Sequence, residues 1–206
     1  FGFLPILKKH DVSYVNLSEC PAFRREVKGR FLKEVRVPAI LNEAHIISVP
    51  KLKTNLLTTM TCCLKNQFGC LPVRRKESFH SHIDDVISDV NLVFRPAFCI
   101  VDAVISMGGS AGPGFGTPVR SETVVCGKDP VAADSLCASM LGLNPGSVRH
   151  IRKSASAGVG SMHYKLTGDK LPVMDFEVST TRMWLMHTVS RLQMRALEKS
   201  GDRWRR

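Results

Sequence analysis

The stretch VPKLKTNLLTTMTCCLKNQFG, residues Val49 to Gly69, joins an apolar run to a segment rich in lysine and threonine. The run before it, AHIIS, is apolar, β-branched and bounded by a proline, which predicts a buried strand at about His45 to Val49. Within the stretch, an apolar residue recurs every four positions from Met60 to Phe68, which predicts a helix over Leu56 to Phe68. The pattern therefore predicts a strand-to-helix turn, a connection typical of α/β proteins.

The predicted turn carries side chains suited to an anion. They are Lys51, Lys53, Thr54 and Asn55. Backbone amides at a helix N-terminus and the helix dipole both favour negative charge, so the turn predicts an anion site. Lys65 and Asn66 lie about three turns further along, and they share this site only if the helix runs along it. The alternative is a solvated basic turn without a ligand.

Two more apolar runs, Phe98 to Met107 and Glu122 to Cys126, predict further strands, and helical patterns separate the three runs. Phe79 to Val93 is one predicted helix, and Val131 to Leu141, which follows Asp129-Pro130, is another. The fold class predicted from this alternation is α/β, with a mostly parallel central sheet flanked by helices. Two weaker patterns predict a strand in VSYVNL, residues 12–17, and an edge strand or hairpin within the basic residues 24–38.

The chain of 206 residues carries a formal net charge of +11, part of it in a basic C-terminal segment. We expect an α/β domain over residues 1–175, with its N-terminal part missing because the chain begins with Phe, and a basic helical tail over 176–206. The tail is predicted to dock on a protein surface or, alternatively, to lie on a membrane surface. The charge favours anionic partners without choosing among small ligands, nucleic acid and lipid. No apolar run is long enough to span a bilayer, and no secretory signal is visible.

Seven cysteines are scattered along the chain without a CxxC motif. This usage favours a reducing compartment, and we expect the cytoplasm. Cys62, Cys63 and Cys70 are close in sequence, but adjacent residues on the predicted helix point about 100° apart, which suits a tetrahedral metal poorly. We therefore predict no metal site at these cysteines and no iron–sulfur cluster in this chain, since a cluster normally needs four thiolates from a wrapping loop.

A glycine-rich loop and three acids are the remaining candidates for a site. The loop, Gly108 to Pro118, matches neither GxGxxG nor GxxxxGK[ST], so it predicts either close backbone approach to a ligand or a flexible lid. Asp102 ends an apolar strand, where α/β proteins place ligands. Asp129 is a helix cap or a ligand residue. Asp134 lies inside a helix among small apolar residues and needs a partner, either a lysine or a divalent metal.

Three blocks resemble the domain of unknown function 362 family: PKLKTNLLTTMTCCLKNQFGCLPVRRKESFH, IVDAVISMGGSAGPGFGTP, and CGKDPVAADSLCASMLGLNP followed by SAGVG. The resemblance covers roughly residues 1–160. It departs from the family at Asn55, where His is usual, at Ala103 instead of Gly, and at Gly109 instead of an acid. Some members carry ferredoxin-type iron–sulfur segments, so the resemblance implies a ferredoxin-like redox partner as a further candidate. No CxxCxxC run stands here, and the activity of the family is not settled.

The residues therefore predict a domain that binds a small anionic ligand, carboxylate or phosphate, and that is a candidate enzyme. We expect Asp102, Asp134 and Lys51 to act as catalytic groups. The expected ligand-binding residues are Lys53, Thr54, Asn55, Lys65, Asn66, Gly112, Gly114, Gly116, Thr117 and Asp129. The alternative is a non-catalytic redox-accessory or interaction module that uses the basic surface. Specific nucleic-acid binding is not expected, because two tryptophans and two tyrosines offer few stacking platforms.

Overall fold

The computed structural model describes residues 2–109 and 116–172, together with 176, 188–189 and 192. The predicted basic tail, 176–206, lies almost wholly outside these residues, as do Gly112 and Gly114. The helices of the described chain are α1 (Phe3–Lys9), α2 (Cys63–Asn66), α3 (Ile83–Val93), α4 (Pro130–Met140) and α5 (Arg149–Ser156). The strands are β1 (Ala22–Glu26), β2 (Glu34–Pro38), β3 (Ile47–Ser48), β4 (Lys51–Asn55), β5 (Thr59–Thr61), β6 (Phe98–Gly108) and β7 (Thr117–Gly127).

The long strand β6 is the centre of a five-stranded sheet within the described residues. Strands β3 and β4 follow one another along one side of β6, and both run parallel to it. Strand β7 pairs with the other side of β6, and β5 pairs with β4, both in antiparallel register. Three of the five strands thus share one direction, and helices pack beside them, which confirms the predicted α/β class. The basic segment 24–38 forms the predicted hairpin, β1 with β2, as a separate two-stranded sheet.

The two faces of the central sheet differ sharply in burial. On one face Cys99 and Val101 of β6 and Val125 of β7 are buried, and α4 packs against both strands. On the opposite face Val104 and Val124 are exposed. Since neighbouring residues of a strand alternate between faces, this burial pattern assigns each side chain of the candidate site to the core or to the open side.

The predicted helix over Leu56 to Phe68 is wrong. The chain continues as β4, reverses, returns as β5 and forms only the short α2. Leu52 and Thr54 are buried, whereas Lys51, Lys53 and Asn55, which alternate with them, are not. The segment therefore follows the period of a strand. The Asn55 side chain accepts hydrogen bonds from the N–H groups of Leu57 and Thr58, which closes the turn into β5.

The predicted strand at residues 12–17 is also wrong, because this segment has no regular structure in the described chain. Val12 and Tyr14 are exposed, so no burial favours a strand there. The helix that was predicted to follow Asp129-Pro130 is confirmed as α4, with Asp129 as its N-cap. Among the described residues, no helix is long and apolar enough to cross a membrane.

Candidate functional site

The open face of the sheet carries an ion pair between neighbouring strands. Lys51 of β4 lies opposite Asp102 of β6, and the Lys51 Nζ–Asp102 Oδ2 distance is 2.5 Å. The two side chains are 44% and 41% exposed. The hydrogen bond from Lys51 holds the pKa of Asp102 below its ordinary value, so Asp102 is ionised at neutral pH. Lys51 and Asp102, both expected to be catalytic groups, therefore form an ion pair in which each charge offsets the other.

Lys53 and Lys65 are two further lysines whose charges influence each other. Lys53 lies two residues beyond Lys51 on β4, and Lys65 lies on α2. Burial and the charge of Lys53 lower the pKa of Lys65 to about 8, with the charge of Asp84 opposing them. Within the described part of the chain, neither ammonium has a carboxylate oxygen within ion-pair distance. These two predicted ligand residues are therefore close enough to repel each other.

The charge of Lys65 also lowers the pKa of two histidines. His80, in the 3-10 segment Lys76–His82, has its pKa lowered by burial and then by Lys65. His150, on α5, is fully buried; burial lowers its pKa to about 4, with Asp84 and Lys65 acting in opposite directions. Both imidazoles are therefore neutral at pH 7. The polar groups around Lys65 thus come from β4, α3, α5 and the segment before α3.

Three of the predicted ligand residues make hydrogen bonds within the fold. The Thr54 hydroxyl is buried and donates to the carbonyl of Gly109 at 2.6 Å. The Asn55 carbonyl oxygen closes the turn between β4 and β5. The Asn66 amide donates to the Ser48 hydroxyl at 3.0 Å, which fastens α2 to β3. These bonds position the strand that carries Lys53 and the helix that carries Lys65.

Asp134 is a completely buried residue of α4, the helix that packs on the buried face of the sheet. Its carboxyl accepts hydrogen bonds from the backbone N–H groups of Cys63, at 2.7 Å, and Leu64, at 3.2 Å. Burial raises its pKa to about 7, although its hydrogen bonds lower it. Asp102 and Asp134 thus lie on opposite sides of the sheet, Asp102 beside Lys51 and Asp134 beside the start of α2.

The prediction that the side chains of Cys62 and Cys63 point about 100° apart is wrong. Cys62 precedes α2 with an extended backbone, at φ −152° and ψ −143°, and only Cys63 is helical. The two Sγ atoms lie 3.9 Å apart, and both residues are completely buried. The 100° helical separation does not apply to this pair.

The described ends of the glycine loop pack against β6, and Asp129 makes hydrogen bonds to neighbouring backbone. Gly116 leads into β7, and a Cβ atom there would lie 2.8 Å from the Gly108 carbonyl oxygen and closer still to the Met107 side chain. Thr117 begins β7 opposite Gly108. The Asp129 carboxyl accepts hydrogen bonds from the backbone N–H groups of Val131 and Ala132 at the start of α4. It also accepts one from the N–H group of Ser161.

Asp84 and His150 were missed as members of the candidate site. Asp84 stands in the run HSHIDD, whose spacing is a weak signal and more often indicates a solvated helix start. His150 stands alone in sequence, 66 residues beyond Asp84, and only the packing of α5 against α3 brings the two together. No pattern in the sequence could have identified it.

Comparison with known proteins assigns a family but no activity. The family model described as a domain of unknown function (DUF362) matches residues 1–139. The thylakoid-associated protein sll1697 of Synechocystis sp. is 25% identical over 174 residues, which are 81% of this chain and 53% of that protein. The chain thus spans about half the length of this relative. No solved structure matches. The chain belongs to the DUF362 family, as the three sequence blocks indicated.

Proposed function

From this membership and from the lysine geometry, we propose that the domain binds a small anionic ligand, a carboxylate or a phosphate, at Lys53 and Lys65. One observation carries the proposal: Lys65 is only partly exposed, the charge of Lys53 lowers its pKa, and neither ammonium has an ion-pair partner within the described residues. Like charges held together in a partly buried place raise the free energy of the fold. Such a cost is typical of sites that are completed by a ligand.

An anion between the two ammonium groups would offset this repulsion. Lysine binds phosphate and carboxylate as a point charge, and charge-assisted hydrogen bonds are about twice as strong as neutral ones. The neutral His80 imidazole, close enough to respond to Lys65, can supply one further hydrogen bond. The basic balance of the chain would increase the rate at which anions reach the site.

The Lys51–Asp102 pair bears on whether the domain is also an enzyme. Asp102 is an ionised, partly exposed carboxylate on the strand next to the one that carries Lys53. We assign Asp102 to the binding of Lys51 and not to a general-base role, because its lowered pKa makes it a weak base and Lys53 lies opposite Met107 on β6. Asp134 is enclosed on the other face of the sheet, so we assign it no contact with this ligand.

Isothermal titration calorimetry with inorganic phosphate and with malonate tests the binding proposal. Lys53→Ala and Lys65→Ala should each weaken the better of the two anions about tenfold or more, the loss expected for one charge-assisted contact. Lys28→Ala is the matched control, because Lys28 is an exposed lysine between β1 and β2, outside the elements that carry Lys53 and Lys65. If the three variants bind with equal affinity, or if the wild-type chain binds neither anion, the proposal fails.

We also propose that the protein works in a reducing compartment such as the cytoplasm. All seven cysteines are free thiols, and four of them are completely buried.

We also propose that the chain divides into a domain over 1–175 and a tail over 176–206. Limited proteolysis should remove the tail first and leave a resistant fragment that ends near residue 175.

A further inference from the structure

A group of thiols surrounds a carboxyl on the buried side of the sheet. Cys62 and Cys63 lie with Sγ atoms 3.9 Å apart. One ligand atom from each thiol and one oxygen of Asp134 all lie within 4.8 Å of one another. The buried side chains of Cys137 and Cys99 lie near those of Cys62 and Cys63, respectively. Four sulfur atoms and one carboxyl therefore share a small volume of the core.

The local backbone explains why two adjacent cysteines can point to the same place. Cys62 is extended and Cys63 begins α2, so the chain bends between their side chains. The N–H groups of Cys63 and Leu64 then bind the Asp134 carboxyl and hold it beside the two thiols. Each thiol sulfur lies within 4.8 Å of an Asp134 carboxyl oxygen. The arrangement is fixed by backbone contacts between α2 and α4.

A buried imidazole next to the carboxyl gives an independent indication of a missing ligand. His150 is 0% exposed, and within the described residues neither of its ring nitrogens has a hydrogen-bond partner. Its Nε2 atom lies 3.9 Å from Asp134 Oδ2. Buried nitrogen atoms without partners are rare and costly, so each needs an explanation. An ion bound at the thiols and the carboxyl would place a charge beside this otherwise unused imidazole.

We propose that Cys62, Cys63 and Asp134 bind a thiophilic divalent ion of the zinc class. In a tetrahedral site with Zn–S bonds of about 2.3 Å, two sulfur ligands lie about 3.8 Å apart, close to the distance found here. Two sulfurs and one oxygen select against magnesium and calcium, which prefer oxygen ligands alone. The fourth position falls to Cys137 or Cys99, the flanking thiols. On binding, each ligating thiol loses its proton to solvent and becomes a thiolate.

Cobalt is the probe for this site. Because the ligands are completely buried, the ion has to enter as the chain folds, so the full chain is produced in medium that contains Co²⁺ in place of Zn²⁺. Elemental analysis should give about one cobalt per chain, and the spectrum should show thiolate-to-cobalt charge transfer. X-ray absorption at the cobalt edge should show at least two sulfur neighbours at about 2.3 Å.

Variants assign the ligands. Cys62→Ser with Cys63→Ser should abolish the charge-transfer band, whereas Cys126→Ser, which alters an exposed thiol, should keep it. Cobalt retained by the double variant with an unchanged spectrum would overturn the proposal. If the double variant does not fold, the wild-type absorption edge decides alone: a chain without bound cobalt, or with cobalt that has no sulfur neighbours, overturns it. Iron with acid-labile sulfide in the purified protein would do the same.

Discussion

The protonation state of Lys65 should control how tightly the domain binds an anion. Its pKa is lowered to about 8 by burial and by Lys53, against the opposing charge of Asp84. About nine in ten Lys65 side chains are then charged at pH 7 and about one in ten at pH 9. His80, which also faces this group, is neutral over that range because its pKa is lowered. The buried His150 is neutral there for the same reason.

An anion that needs the charged form of Lys65 should therefore bind about tenfold more weakly at pH 9 than at pH 7, a loss of about 1.4 kcal/mol. Sulfate is the suitable probe for calorimetry, because its own charge does not change over this range. In Lys65→Arg the charge persists at both pH values, so the pH dependence should disappear. Equal sulfate affinity at pH 7 and 9 in the wild type, or an unchanged pH dependence in Lys65→Arg, would refute the reasoning.

Three further predictions concern the contacts that position the site, and urea denaturation measures each of them. Asp89→Ala should lower the free energy of unfolding by about 3 kcal/mol, because the buried carboxyl accepts the N–H groups of residues 30–32, each at 2.8 Å. Asn55→Ala should cost about 1–2 kcal/mol by opening the turn between β4 and β5. Gly160→Ala should cost about 1–2 kcal/mol, because a Cβ there would displace Asp129 from its helix cap. Midpoints equal to that of the wild type would contradict these assignments.

The long, strongly apolar elements were predictable from sequence. The run Phe98 to Met107 is β6, and the Asp129-Pro130 pair marks the start of α4 as expected. Each of these predictions rests on a pattern long enough to give one period, or on a cap with a defined chemistry. The α/β class followed from such elements.

The segment that contains the lysines was not predictable at the same level. Met60, Leu64 and Phe68 are all buried, so their spacing of four matches a helix. Met60, however, belongs to β5 and Leu64 to α2, and the Asn55 turn separates the lysines from that helix. A short window cannot distinguish one long helix from a strand followed by a short helix when the same positions are buried in both.

The contacts across the fold were beyond any local pattern. Lys65 approaches Lys53 only because β5 reverses the chain, and His150 reaches Asp84 and Asp134 only through the packing of α5. The thiols of Cys62 and Cys63 converge because one extended residue precedes α2. These features depend on tertiary structure, which overrides the local preference of short segments.

Locating a bound anion directly is the sharpest test of the central claim, that Lys53 and Lys65 form an anion site. Selenate replaces sulfate in this experiment, because selenium can be located in a crystal by its anomalous scattering. The account predicts that the strongest selenate peak lies within about 4 Å of both Nζ atoms, the distance of an ion pair. A strongest peak at any other cationic group, with none beside Lys53 and Lys65, would contradict it.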